Sequence, residues 1–302
     1  MDAFNRNPSY RFLAADQTVG YSPADGTYVI REPGWKGTKI TIRQGLRVNP
    51  NFVPKSAGGA ILAVGGSLVF GDEVSDEETW PAILERRLNR RVFNGGVSGY
   101  GPALAVLRAK QLLKTQSYSL VILSVLITDL PRDRYVNLSC SYRPAIIREG
   151  GRIRPTTVEE SGRTVSENFA CAHPWIPELF FWSYIAKGFF FKLGYDGCCT
   201  NIIHPKAATP DEVLEFAIEQ VAALPVNKII LIQYPRFRYP PYSFEGVGFD
   251  GARKIRDAAS RHGVGVIDTY NAFKDTPLLE ILKSGNEVVS DLIAPEIAAI
   301  AP

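Results

Sequence analysis

The stretch Ala60-Ile61-Leu62-Ala63-Val64-Gly65-Gly66-Ser67-Leu68-Val69-Phe70-Gly71 decides how the rest of the chain is read. A short uncharged apolar run stopped by glycines reads as a strand buried on both faces. The serine leaves that strand just before a helix, where backbone N–H groups can face a developing negative charge. By itself a Gly-Gly-Ser turn is usually only a turn. A phosphate loop is disfavoured, because no Gly-Lys-Ser/Thr follows.

Working outward, Ser75 and Glu78 have the spacing of a capping box. Behind it Trp80, Ile83, Leu84 and Leu88 fall on one helical face. Residues 91–93 form a second short strand, and a Gly-rich turn leads to a helix over about 103–114. Residues 120–127 are almost continuously apolar, as a central parallel strand requires. Thr209-Pro210-Asp211-Glu212 combines an N-cap, a first-turn proline and acids ahead of an amphipathic helix. Further strands are expected at 228–233 and 264–267, with a helix around 252–259 between them. About five strands alternating with helices predict an α/β fold: a three-layer α/β/α, flavodoxin-like domain over residues 58–302. Ligands of such sheets sit at the carboxyl ends of the strands.

Two segments break the alternation. Residues 1–57, rich in Gly, Pro, Thr and Tyr, predict a β-rich N-terminal extension. Residues 136–208 read as an insertion at the site end of the sheet. They contain all four cysteines, Cys140, Cys171, Cys198 and Cys199, in no zinc-binding spacing. Buried thiols and a Cys140–Cys171 disulfide both stay open. The aromatic run 179–193 is too short to span a bilayer and carries Lys187 and Gly188 in its middle. It is expected to pack on the domain near the cleft without binding a membrane. With 22% charged residues and a net charge of +3, no wholesale nucleic-acid bias exists. The Arg86, Arg87, Arg90 and Arg91 cluster reads as a solvated helix end rather than a phosphate patch. Residues 1–12 do not have the pattern of a signal peptide, and the compartment stays open between envelope, exported and cytoplasmic.

The loops after the first three strands carry Gly65-Gly66-Ser67, then Asn94-Gly95-Gly96-Val97-Ser98-Gly99-Tyr100-Gly101, then Thr128-Asp129. Together they resemble the SGNH/GDSL hydrolases, which carry a Gly-Asp-Ser or Gly-Gly-Ser block and an Asn-x-Gly-x-x-Gly block. A Gly-x-Asn-Asp block and a C-terminal Asp-x-x-His block follow in that family. The resemblance is dense over 61–101, including Thr79-Trp80-Pro81, and thinner from about residue 20 to the end. It implies Ser67 as nucleophile and the N–H groups of Ser67 and Gly99 as oxyanion donors. Gly66 and Asp129 would line the substrate position. It implies no cofactor and no metal.

Two departures accompany the resemblance. Thr128 stands where the family has an asparagine donor, and losing one such donor costs on the order of 100- to 1,000-fold in rate. Asp291-Leu292-Ile293-Ala294-Pro295 has the shape of the last block, with Asp291 as the acid and alanine where the base belongs. Loss of a triad base costs on the order of a millionfold. His173, His204 and His262 are the chain's histidines, each read as structural or surface residues, although the insertion could bring His173 or His204 to the site. Three functions follow. The first is an esterase acting on a small-molecule or carbohydrate ester, such as an O-acetyl group, through an acyl-serine. The second is a non-catalytic relative that binds a glycan or acylated ligand. The third, a nucleotide-binding flavodoxin-like domain, has neither a phosphate lysine nor a ribose-binding acid to support it.

Overall fold

The computed structural model describes residues 12–30, 37–55, 58–138, 141–166, 202–233, 247–273 and 278–300. They divide into two compact units, Pro23–Arg132 with Pro210–Pro302, and Met1–Ser22 with Asp133–Thr209.

The larger unit is built on one eight-stranded sheet. Its strands are β1 (Gly26–Val29), β2 (Lys39–Arg43), β3 (Leu46–Arg47), β4 (Ile61–Val64), β5 (Val92–Asn94), β6 (Leu120–Leu126), β7 (Asn227–Gln233) and β8 (Gly265–Asp268). Their spatial order is β8-β7-β6-β4-β5-β3-β2-β1. The pairs among β4 to β8 are parallel. Those joining β5 to β3, β3 to β2 and β2 to β1 are antiparallel. The five expected parallel strands are therefore present, in the doubly wound order that places a switch point between β4 and β6. The sheet does not stop there. Residues expected to be an N-terminal extension supply its last three strands, so a boundary at 57 would cut through the sheet.

Strand alternation makes the two apolar layers. Leu62, Val64, Val121, Leu123, Val125, Ile230 and Ile232 join one buried cluster, together with Val106, Leu214 and Ile255 from three helices. Those helices are Pro102–Leu112, Pro210–Ala222 and Val247–Arg261. The intervening strand residues, Ile61, Ala63, Leu120, Ile122, Ile229 and Leu231, join the opposite cluster. Helices Trp80–Leu88 and Leu278–Ile300 cover that face with Trp80, Leu84, Val289, Ile293 and Ile297. The result is a three-layer α/β/α domain.

The capping signal at 75–78 opens a 3-10 turn, Asp76–Glu78, rather than the helix itself. The Ser75 amide donates to the Glu78 carboxylate at 2.8 Å. Thr79 then caps the helix by accepting from the Ala82 amide at 3.3 Å. The arginines at the end of this helix are tied to the protein. Arg86 donates to Glu77 O, Arg90 to Gly59 O and Ser119, and Arg91 to Glu85.

Among the described residues, the smaller unit holds three short strand pairs: Leu13–Asp16 with Gly20–Pro23, Asn137–Leu138 with Ser141–Tyr142, and Ile146–Glu149 with Arg152–Pro155. Helix Val158–Ser166 follows. A fully buried Arg143–Asp133 pair at 2.9 Å lies among them. The four cysteines, His173 and the aromatic run 179–193 lie outside the described residues. No described helix is long and apolar enough to cross a membrane.

Candidate functional site

The carboxyl ends of β4 and β5 are joined by backbone hydrogen bonds that continue past the strands. Gly95 N donates to Ala63 O at 2.8 Å, and Val97 N donates to Gly65 O at 3.0 Å. Ser67 opens a single helical turn, Ser67–Phe70, in which Val69 N and Phe70 N donate to Gly66 O. Asn94 fastens this turn from β5. Its side-chain amide donates to Val69 O at 2.7 Å and Phe70 O at 3.3 Å, while its oxygen accepts from Gly96 N at 3.0 Å. Glycine is required at 96 by proximity, since a Cβ there would sit 2.4 Å from Phe70 N. At Gly66 a Cβ would meet both Asp129 Oδ2 and Tyr100 O at 2.9 Å. The loops after β4, β5 and β6 therefore meet beside Ser67, at the switch point of the sheet.

Gly66, Ser67 and Gly99 are partly exposed and Asp129 is buried. Asp129 pairs with Arg132 Nε at 3.1 Å. Thr128, on the 3-10 turn Ile127–Arg134, is exposed, and its hydroxyl has no hydrogen-bond partner among the described residues. The same holds for the hydroxyl of Ser67.

Sequence reasoning missed Asp72. This half-buried carboxylate accepts a hydrogen bond from the Ser98 hydroxyl, one residue before Gly99. Burial pushes its pKa up to about 7, against the Ser98 hydrogen bond and the Arg47 and Arg132 cations, with Glu73 adding to the rise. The only hint in the sequence was an acid directly after the glycine that closes the serine turn. Gln233 was also missed. It ends β7 opposite Leu126, is buried, and its amide has no hydrogen-bond partner among the described residues. A buried unpaired amide is uncommon in native proteins.

Asp291 and Ala294 both lie within helix Leu278–Ile300. The Asp291 carboxylate is exposed and pairs with Arg87 at 2.9 Å. Arg87 belongs to the last turn of helix Trp80–Leu88, whose chain goes on to enter β5 at its amino end. Ala294 packs on the apolar cluster that holds Val289, Ile293 and Ile297. The four-residue spacing of those three was the helical signal.

The described histidines have local partners. His262 Nε2 lies 2.8 Å from Glu215 Oε1, at the end of helix Val247–Arg261. In the smaller unit His204 Nδ1 accepts from Lys206 N at 3.0 Å. Burial, then the nearby Lys206 cation, lowers the His204 pKa.

No family model and no curated protein matches this chain. Solved structures do. The psychrotrophic esterase EstA from Pseudoalteromonas sp. is 11% identical with a TM-score of 0.43, covering 80% of this chain and 97% of its own. LAE5, an alpha/beta hydrolase enzyme from the metagenome of Lake Arreo, Spain, is 13% identical with a TM-score of 0.45, covering 83% and 100%. AlinE4, an SGNH-hydrolase family esterase, is 17% identical with a TM-score of 0.38, covering 78% and 98%. Likeness at this level leaves the fold to the strand order and the site to the residues described above.

Proposed function

We propose that this chain is a serine ester hydrolase of the SGNH type, acting through an acyl-Ser67 intermediate. The convergence of Gly66, Tyr100 and Asp129 beside Ser67 at the switch point carries this reading. Ser67 Oγ attacks the ester carbonyl, and the N–H groups of Ser67 and Gly99 receive the oxyanion. Thr128 stands ready as a side-chain donor. The C–O bond to the alcohol breaks, and the alcohol leaves with the proton that Ser67 gave up. Water then attacks the acyl carbonyl, frees the acid and returns a proton to Ser67.

No described group lies within hydrogen-bond reach of the Ser67 hydroxyl; the carboxylate this reading assigns to accept its proton is Asp72, five residues further along the chain and bonded to Ser98. A general base works best with a pKa near the working pH, and burial lifts Asp72 to about 7. Ser98 holds it beside Gly99. O-acetyl groups of carbohydrates are the proposed substrate class.

A second reading, a non-catalytic relative that binds a glycan or acylated ligand, is favoured by one observation. The Ser67 hydroxyl has no hydrogen-bond partner among the described residues, so no imidazole among them activates it. Fluorophosphonate labelling with intact-mass readout, alongside p-nitrophenyl acetate turnover, separates the two. The hydrolase should gain one adduct and release nitrophenolate, and Ser67→Ala should lose the adduct and at least about a hundredfold in turnover. A folded protein with no adduct, or turnover indifferent to Ser67→Ala, would leave the binding reading in place.

A further inference from the structure

We propose that Arg47 is a positioning residue for Ser67, holding the turn that carries it in register with the sheet. The proposal rests on the reading of Ser67 as the reactive serine.

Arg47 lies on β3, directly opposite Asn94 on β5. Residues paired across two strands project to the same face of the sheet. Asn94 already fastens Val69 O and Phe70 O. Arg47 takes over where Asn94 stops. Its Nη1 donates to Phe70 O at 2.8 Å and Gly71 O at 2.6 Å. Its Nη2 donates to Val74 O at 2.6 Å and, back on β2, to Lys39 O at 3.1 Å. Nε donates to Asp76 Oδ1 at 3.0 Å, and that same oxygen accepts from Thr41 N at 2.9 Å. All five N–H groups of a guanidinium are thus engaged, and four of them hold one stretch, 70–76. The guanidinium also lies over the Phe70 ring, 5.2 Å from its centre.

Both side chains of the Arg47–Asp76 pair are almost wholly buried. A buried charge is costly unless hydrogen-bonded; the guanidinium is bonded at every N–H, whereas Asp76 Oδ2 has no partner among the described residues. The braced loop starts at Phe70, three residues beyond Ser67, and contains Asp72. Lysine could not replace the arginine, because an ammonium has three donors and no planar fork.

The test compares the full-length chain with Arg47→Lys and Arg47→Met, well below the melting transition of each. Three quantities are measured: the second-order rate of fluorophosphonate labelling at Ser67, the kcat and KM for p-nitrophenyl acetate, and amide hydrogen exchange at Phe70, Gly71 and Val74. Misplacing a reacting atom by about 1 Å can cost on the order of a hundredfold. The expected result is a fall of at least about tenfold in labelling and kcat, with KM within about twofold, in both variants. Exchange at those amides should speed up while exchange in β6 and β7 does not. A residue that merely adds stability would lower the melting temperature and leave labelling unchanged at low temperature.

Unchanged labelling and unchanged local exchange in a folded Arg47→Lys protein would overturn the proposal. If neither Arg47 variant folds, Asp76→Asn serves instead. It removes one ionic partner and leaves the four carbonyl contacts, and the same readouts apply with smaller expected changes. If the unmodified chain does not label at Ser67, the hydrolase reading fails and exchange alone decides whether Arg47 positions the turn.

Discussion

At the residue scale the site depends on where a proton can go. Asp72 has its pKa raised to about 7, chiefly by burial, and the Ser98 hydroxyl donates to it. A base of that pKa accepts protons only once it is ionised, so turnover of p-nitrophenyl acetate should rise as pH passes through about 7 and level off above it. Asp72→Asn should flatten that rise and lower the plateau by about 100-fold or more. A pH–rate profile of both proteins checks this, and a rise that persists in Asp72→Asn would assign the proton to another group. That the loops carrying Gly66, Ser67, Gly99 and Asp129 meet was legible in the sequence, because each loop is a short block directly after a strand. Asp72 was not, because its character comes from burial and from Ser98, 26 residues further along the chain. No local pattern encodes such a contact.

At the scale of elements, the strands and helices of 60–133 were legible because uninterrupted apolar runs and 3.6-residue periodicity both survive tertiary packing. The C-terminal helix was not read from the sequence, although Val289, Ile293 and Ile297 recur at helical spacing. The junction between helix Trp80–Leu88 and β5 carries a further consequence. Glu85 is buried, takes Arg91 Nη1 at 2.9 Å, and accepts from Val92 N at 3.3 Å. Burial still raises its pKa to about 7, with Arg91 and the Val92 amide opposing. Between about pH 4.5 and 7, the native protein therefore holds a proton that the unfolded chain has released. Stability from this group is complete below the unfolded pKa and is lost as pH rises through the folded one. Each unit of displacement is worth about 1.4 kcal/mol. Glu85→Gln should reduce the loss of stability between pH 5 and pH 8, measured by urea midpoints at the two pH values. Asp72 shifts in the same direction, so a smaller slope should remain. An undiminished slope in Glu85→Gln would show that Glu85 does not titrate in this window.

At the scale of the whole molecule, the sheet asks what the first 57 residues are for. Their composition pointed to an extension, because short strands between glycines look alike whether they stand alone or complete a larger sheet. The register resolves it: Arg47 pairs with Asn94, and Ile42 with Arg47, so β2 and β3 continue the sheet from β5. Ile40, Ile42 and Leu46 are almost completely buried there. Full burial of each such side chain contributes roughly 1.5–3 kcal/mol, and their sum is comparable with the roughly 5–15 kcal/mol that keeps a domain folded. Removing them would also expose β5, a three-residue strand, along an open edge. It would strand Asp76 as a buried carboxylate without its arginine. A chain of residues 58–302 is therefore expected to lack a cooperative thermal transition and near-UV circular dichroism, and to react poorly at Ser67. The full chain should melt cooperatively, show near-UV circular dichroism and react readily at Ser67. Should the shortened chain melt cooperatively and label at Ser67 within about twofold of the full chain, β1 to β3 would be an appendage after all. The positioning role of Arg47 would then fall with them.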